Sequence, residues 1–235
     1  MKTIVLRVLR SRWLHGGVLV TVGLFGLIGF AHTEAGRPIL NALRGAPGCP
    51  ADLAALAPDR VEAARVAAVA KKRGSVAELS RRALGFTLGS TSKADVVAYL
   101  SGHSLDCEEQ REGSVLRCKG APSELSPGSA PRVDDLHLQF DAAERLVAVD
   151  VYREGTSSCA AVAWLGTMND KLTREIGPAT GRQGEVSEAF LESGSLRRAA
   201  QQYRYQGYVA ELSATRFGER GVRVREQYQW VPGGA

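Results

Sequence analysis

Cysteine is scarce in this sequence, with four residues in 235. That is too few for a small disulfide-built scaffold. No two of them stand in a Cys-x-x-Cys pair, the usual spacing for zinc or thiol exchange. Gly-x-Ser-x-Gly, His-Glu-x-x-His, the Walker A loop and Gly-x-Gly-x-x-Gly are all missing, so the common hydrolase, metalloprotease, phosphate-loop and dinucleotide chemistries have no local signature here. Aromatic residues make up only 6% of the chain. Acidic residues are absent from the first 31 positions, which hold Lys2, Arg7, Arg10 and Arg12.

What is present is ordinary globular material, 44% hydrophobic and 23% charged. The length suits one large domain or two small ones. The net charge of +5 comes from 30 basic and 25 acidic residues. Beyond residue 31 the balance is 26 basic to 25 acidic. The bulk of the chain therefore lacks the excess positive charge of a nucleic-acid binder, and no nucleic-acid partner is expected.

Residues 13–31, WLHGGVLVTVGLFGLIGFA, contain no Asp, Glu, Lys or Arg. As a helix they would span about 28 Å, close to the thickness of a bilayer core. With basic residues only on the amino-terminal side, residues 1–12 read as a cytoplasmic segment and the rest as exported. Two readings follow. The stretch is an uncleaved single-pass anchor in the inner (cytoplasmic) membrane, or it is a signal peptide cleaved near Ala31, leaving a periplasmic or secreted protein. No Leu-x-x-Cys-like lipidation site lies near it. Residues 32–57, rich in Gly, Pro and Ala, read as a tether.

Export makes a disulfide reasonable, and Cys107 with Cys118 are the candidate pair. A two-residue turn at Glu112-Gly113 would set them opposite each other across a hairpin, as a hydrogen-bonded pair. The closed loop would stabilise the fold by about 3 kcal/mol. Cys49 and Cys159 remain, either paired or free. A metal set of His103, Cys107 and Cys118 has no standard spacing, and neither a metal nor a cofactor is expected.

Periodicity divides residues 58–235 into two consecutive units, 58–154 and 155–235, each with helix followed by antiparallel strands in an α+β, two-layer arrangement. Pro58 opens a helix that Lys71, Lys72 and Arg73 close, with Gly74 as its cap. The basic run reads as dipole compensation on a solvated surface rather than as a phosphate contact. Ser75-Val-Ala-Glu78 and Ser92-Lys-Ala-Asp95 both have the capping-box pattern and predict helices, the first ending at Gly85. Strand alternation places Leu136, Leu138 and Phe140 on one face with Val147, Val149 and Val151, and a turn at 142–145 sets Phe140 opposite Val147. Residues 158–176 predict the best helix, with Leu165, Met168, Leu172 and Ile176 as its stripe and Gly177-Pro178 as its stop.

After a possible short helix at 185–191, a three-strand meander is expected. A turn at Gln206-Gly207 pairs Tyr203 with Ala210, and a looser turn forms near 218–220. Its dry face holds Tyr203, Tyr205, Tyr208 and Tyr228. Its wet face holds Arg223, Arg225, Gln227 and Gln229, the candidate binding surface.

The run Gly89-Ser-Thr-Ser-Lys-Ala-Asp95-Val96, the strand pair after it, and Phe140-Asp141-x-x-x-x-Leu146-Val-x-Val are similar to the SmpA/OmlA (BamE-like) domain. The helix ending Ile176-Gly177-Pro178 also resembles a stretch common there. The overall layout resembles the β-lactamase inhibitor protein fold, in which two such units stand in tandem with disulfides. The resemblance covers residues 83–153 and, more loosely, 155–231. It implies a scaffold or binding role in the cell envelope, without catalysis.

Other motifs read as structure. Ser90 and Lys93 match Ser-x-x-Lys, but the companion Ser-Asp-Asn and Lys-Thr-Gly motifs are missing, so the helix-capping reading stands. His103 and His137 have no nucleophile or acid at an identifiable spacing. The expectation is a membrane-tethered binding or scaffold module whose partner is another envelope protein. The rivals are a secreted or periplasmic inhibitor of a hydrolase, inserting the loop 120–132 into its target, and an enzyme of unidentified class.

Overall fold

The computed structural model describes residues 58–122, 125 and 131–233. Segments 1–12, 13–31 and 32–57 lie outside the described residues, as does most of the loop 120–132. No helix among the described residues is long and apolar enough to cross a membrane.

Helix α1 (Pro58–Ala70) comes first, then a small hairpin of β1 (Arg82–Ala83) and β2 (Phe86–Thr87), then α2 (Lys93–Gly102). Strands β3 (Cys107–Gln110), β4 (Val115–Lys119), β5 (Asp135–Phe140) and β6 (Leu146–Thr156) follow as a meander. Helix α3 (Ser158–Glu175) leads to β7 (Gly181–Gln183), the short α4 (Glu188–Glu192), β8 (Arg198–Arg204), β9 (Tyr208–Arg216) and β10 (Val222–Trp230). The eight strands β3–β10 make one antiparallel sheet in the order β3-β4-β5-β6-β10-β9-β8-β7. The strands expected of each unit form one half of it, and the seam between the halves is the pairing of β6 with β10.

Local chemistry explains most boundaries. Ser92 caps α2 with a complete capping box: its hydroxyl accepts from the Asp95 amide, and the Asp95 carboxylate accepts from the Ser92 amide. Val96 and Leu100 are the buried residues of α2, while Val97 is 37% exposed. Ser157 caps α3, whose buried face is Ala161, Trp164, Leu165, Met168 and Leu172. Ile176 is buried beyond it. Gly177 then takes a φ of +117°, and a Cβ there would sit 2.3 Å from the Tyr205 hydroxyl oxygen. The helix stops where the chain must pass under Tyr205, whose hydroxyl donates to the Pro178 carbonyl at 2.7 Å.

Four expectations are corrected. Residues 75–81 are bends and irregular chain, and β1–β2 follows where a second helix was expected. The Glu78 carboxylate accepts from the Gly207 amide at 2.9 Å and the Gln206 side chain donates to the Ser75 carbonyl, so tertiary bonds outcompete a local cap. Gly74 likewise serves close packing, since a Cβ there would sit 1.9 Å from the Arg204 carbonyl oxygen. A bulge shifts the β5–β6 register at its end, so Phe140 faces Leu146 rather than Val147, although Leu138↔Val149 and Leu136↔Val151 pair as the turn predicts. The carboxy-terminal meander gains a fourth strand, β7, on the β8 edge. It is too short and polar to announce itself.

The fourth correction concerns the disulfide. Cys107 pairs with Cys118 in register and the two are bonded. However, the Lys119 amide donates to the Asp106 carbonyl, and the loop is four residues, Arg111 to Ser114. The cysteines therefore form a non-hydrogen-bonded pair, with Cα atoms 4.0 Å apart.

One hydrophobic core draws on α2, α3, α4 and the inner face of strands from both halves. The buried tyrosines belong to it, as the dry-face register requires, and each hydroxyl has an acceptor. Tyr203 donates to Asn169 Oδ1 at 3.0 Å, Tyr208 to the Arg82 carbonyl at 2.7 Å and Tyr228 to Glu226 Oε2 at 2.7 Å. Burial pushes all three phenols well above their ordinary range.

Candidate binding surface and a buried ion cluster

The outer face of the sheet is built by alternation from the inner one. Arg223, Arg225, Gln227 and Gln229 all point to it from β10, as the wet-face register predicts. Pairing extends them into rows across the sheet. One row runs Glu108, Arg117, His137, Asp150, Gln227, Glu211, Gln202. The next runs Lys119, Asp135, Tyr152, Arg225, Ser213.

The groups within these rows are paired rather than simply solvated. Asp150 is nearly buried, and Asp150 Oδ1 accepts from Arg225 Nε at 2.9 Å, Arg225 Nη2 at 2.5 Å and Gln227 Nε2 at 3.1 Å. The Arg225 guanidinium also lies over the Tyr152 ring, 5.4 Å from its centroid. Arg223 pairs with Glu154 at 2.6 Å. Asp135 accepts from Arg117 and Lys119; burial raises its pKa, but these two cations outweigh that and hold it below the ordinary carboxylate range. Arg198 pairs with Glu211.

Despite this pairing the face stays open. Side-chain exposure is 36% at Arg117, 64% at Lys119, 44% at Arg223 and 34% at Arg225. Helix α3 packs against the opposite face. Helix α1 reaches the outer face at one end, where Val69 clusters with Val209 and Val231.

His137 lies in the middle of the first row. Its Nε2 is buried and has no hydrogen-bond partner among the described residues, and its ring is 5.3 Å from that of Tyr152. Burial, and then the Arg117 charge, lower its pKa against the pull of Asp135 and Asp150. The neutral imidazole is thereby favoured.

The inner face holds a feature that the sequence reading left out. Glu226, on the dry face between Val224 and Tyr228, is 1% exposed. It pairs with Arg153 of β6, also buried, and accepts from Trp164 Nε1 at 3.2 Å and from the Tyr228 hydroxyl. Arg153 Nε donates to the Pro131 carbonyl at 2.8 Å, and its guanidinium lies 4.6 Å over the Trp164 ring. The signal was legible: the alternation that puts Val224 and Tyr228 inside puts Glu226 inside too. With every acceptor occupied, the cluster acts as a structural clamp between β6, β10 and α3.

The remaining candidates separate. Ser90 Oγ donates to the Thr87 carbonyl while Lys93 Nζ pairs with Glu109 at 2.8 Å, so each side chain of the Ser-x-x-Lys match has its own partner. Cys107 and Cys118 are spent on each other, and His103 Nδ1 lies 2.8 Å from the Tyr99 carbonyl oxygen. No group of three or more His, Cys, Asp or Glu suited to a metal occurs among the described residues. Cys159 is an exposed free thiol, and Cys49 lies outside the described residues. Comparison of the chain with family models, with curated proteins and with solved structures gives no match.

Proposed function

We propose that this protein is a non-catalytic binding module of the cell envelope, held at the inner membrane by residues 13–31 and exposing its sheet to another envelope protein. The observation that carries the reading is the outer sheet face. It is broad and rigidly hydrogen-bonded, its arginines are fixed in place by Asp150 and Glu154, and it keeps polar side chains open to a partner. Charges already positioned by neighbours lose little entropy on docking, and complementary charge steers the encounter. The disulfide at the β3–β4 edge suits an oxidising compartment. The resemblance of residues 83–153 to the SmpA/OmlA domain points the same way and belongs to this proposal.

The test is site-specific photocrosslinking in intact cells, with the photoreactive residue at Gln227 or Arg223 in the full-length chain. A discrete crosslinked band at either position, and none at exposed Leu196, is the expected result. No crosslink at either sheet position, with the Leu196 probe reporting an equal or stronger one, would overturn the assignment of this face.

A further inference from the structure

We propose that residues 71–82 form a docking surface for an anionic lipid bilayer. Charge in this chain is unevenly placed. Helix α1 ends at Ala70 with no basic residue in its last turn, so Lys71, Lys72 and Arg73 lie beyond it and do not close it as expected. Residues 71–82, KKRGSVAELSRR, hold five basic residues and one acid. Apart from this segment and residues 1–31, the chain holds 21 basic and 24 acidic residues. The one acid, Glu78, is occupied by the Gly207 amide. Lys71, Lys72, Arg81 and Arg82 make no side-chain hydrogen bond or ion pair among the described residues.

The same twelve residues carry exposed apolar side chains. Four large hydrophobic residues are exposed among the described residues, and two of them are here: Val76 at 63% and Leu79 at 75%. An apolar residue held out in water beside unpaired cations is the pattern of a segment that rests in a bilayer interface, its hydrocarbon in the acyl boundary and its charges at the headgroups.

The segment is also held in shape. The Gly74 amide donates to the Tyr205 carbonyl, the Gln206 amide to the Val76 carbonyl and the Leu79 amide to the Ile176 carbonyl. Ser80 Oγ donates to the Glu175 carbonyl. Val76 and Leu79 are therefore presented by a fixed backbone. Beside them, Leu79, Ser80, Arg81, Arg82 and Thr87 line an open cleft of about 300 Å³ together with Glu78, whose carboxylate is held by the Gly207 amide. Arg174, at the last turn of α3, is exposed and adds a further cation near this end, against Glu175. The surface uses no residue of the sheet face and does not rest on that reading.

The experiment is hydrogen–deuterium exchange on the full-length chain in nanodiscs of phosphatidylcholine, or of equal parts phosphatidylcholine and phosphatidylglycerol. Amides of residues 75–82 are expected to exchange at least about fivefold more slowly on the anionic discs, a difference that about 0.5 M salt removes. Exchange around Leu196 should match on both. The K71E/K72E/R81E/R82E variant should lose the slowing with its sheet amides still protected, and V76S/L79S should reduce it. Equal exchange on both discs, or slowing that survives charge reversal, would overturn the proposal. Inorganic phosphate reproducing the slowing without a bilayer would also overturn it, by marking a soluble-anion site. Exchange across residues 13–31 in the same data reports the anchor separately, so the two ideas fail independently.

Discussion

Arg153 and Glu226 face each other across the β6–β10 seam, each with a side chain 1% exposed, and Trp164 joins them by stacking on the one and donating to the other. Two charges withdrawn from water are costly unless paired and fully hydrogen-bonded, and here the remaining capacity of the carboxylate is met by Tyr228. Glu226→Ala should lower stability by about 3–5 kcal/mol, because the Arg153 charge stays buried without its carboxylate. The double variant Arg153→Met/Glu226→Leu should recover most of that loss. Urea unfolding of the three proteins measures both. A single variant as stable as the parent would show that the cluster is not closed to water.

Glycine positions give a matched pair. Gly177→Ala must place a methyl group 2.3 Å from the Tyr205 hydroxyl oxygen at a φ of +117°. A loss of about 1–3 kcal/mol is expected, together with the Tyr205–Pro178 bond. Gly166, exposed within α3, has nothing within 4 Å of an added Cβ. Gly166→Ala should therefore stabilise by about 0.5–1 kcal/mol. Thermal unfolding at one pH decides both signs.

Alkylation before reduction should label Cys159 and leave Cys107 and Cys118 unmodified, as read by peptide mass. Replacing both bonded cysteines with Ala should cost about 2–4 kcal/mol, since the link closes a loop over a sequence separation of 11 at the sheet edge. The edge strand β3 should then lose amide protection before β5 or β6 does.

His137 sets a pH dependence of known sign. Burial lowers its folded-state pKa below the ordinary histidine value of about 6.5, so the unfolded chain takes the proton first. Its contribution is fully present above about 6.5 and is lost as pH falls through that value toward the folded pKa. Stability should therefore decline on acidification through this window, and His137→Gln should flatten the decline. A parent and variant with parallel pH curves would remove His137 from the account.

The contrast between the two capping-box sequences shows what the sequence could carry. Ser92–Asp95 and Ser75–Glu78 look alike locally, yet only the first caps a helix. The second is claimed by Gly207 and Gln206, about 130 positions away, which no local pattern encodes. Hairpin registers such as Tyr203↔Ala210 were legible because a short turn fixes them. The β6–β10 seam was not, since its strands are separated by α3, β7–β9 and their loops. The same limit governs the candidate surface. Alternation put Arg223, Arg225, Gln227 and Gln229 on one face, but their partners Asp150 and Glu154 arrive only through the seam.

That seam has a consequence for biosynthesis. Strand β10 is the last strand among the described residues and the one that joins β6 to β9. Until it has emerged, β6 and β9 each present a row of unpaired backbone groups, a template for pairing with neighbouring chains. The nascent protein therefore carries two open edges from the completion of β9 until β10 is made, and loses both in one step. Newly made chains need shelter from one another until residue 230 is free.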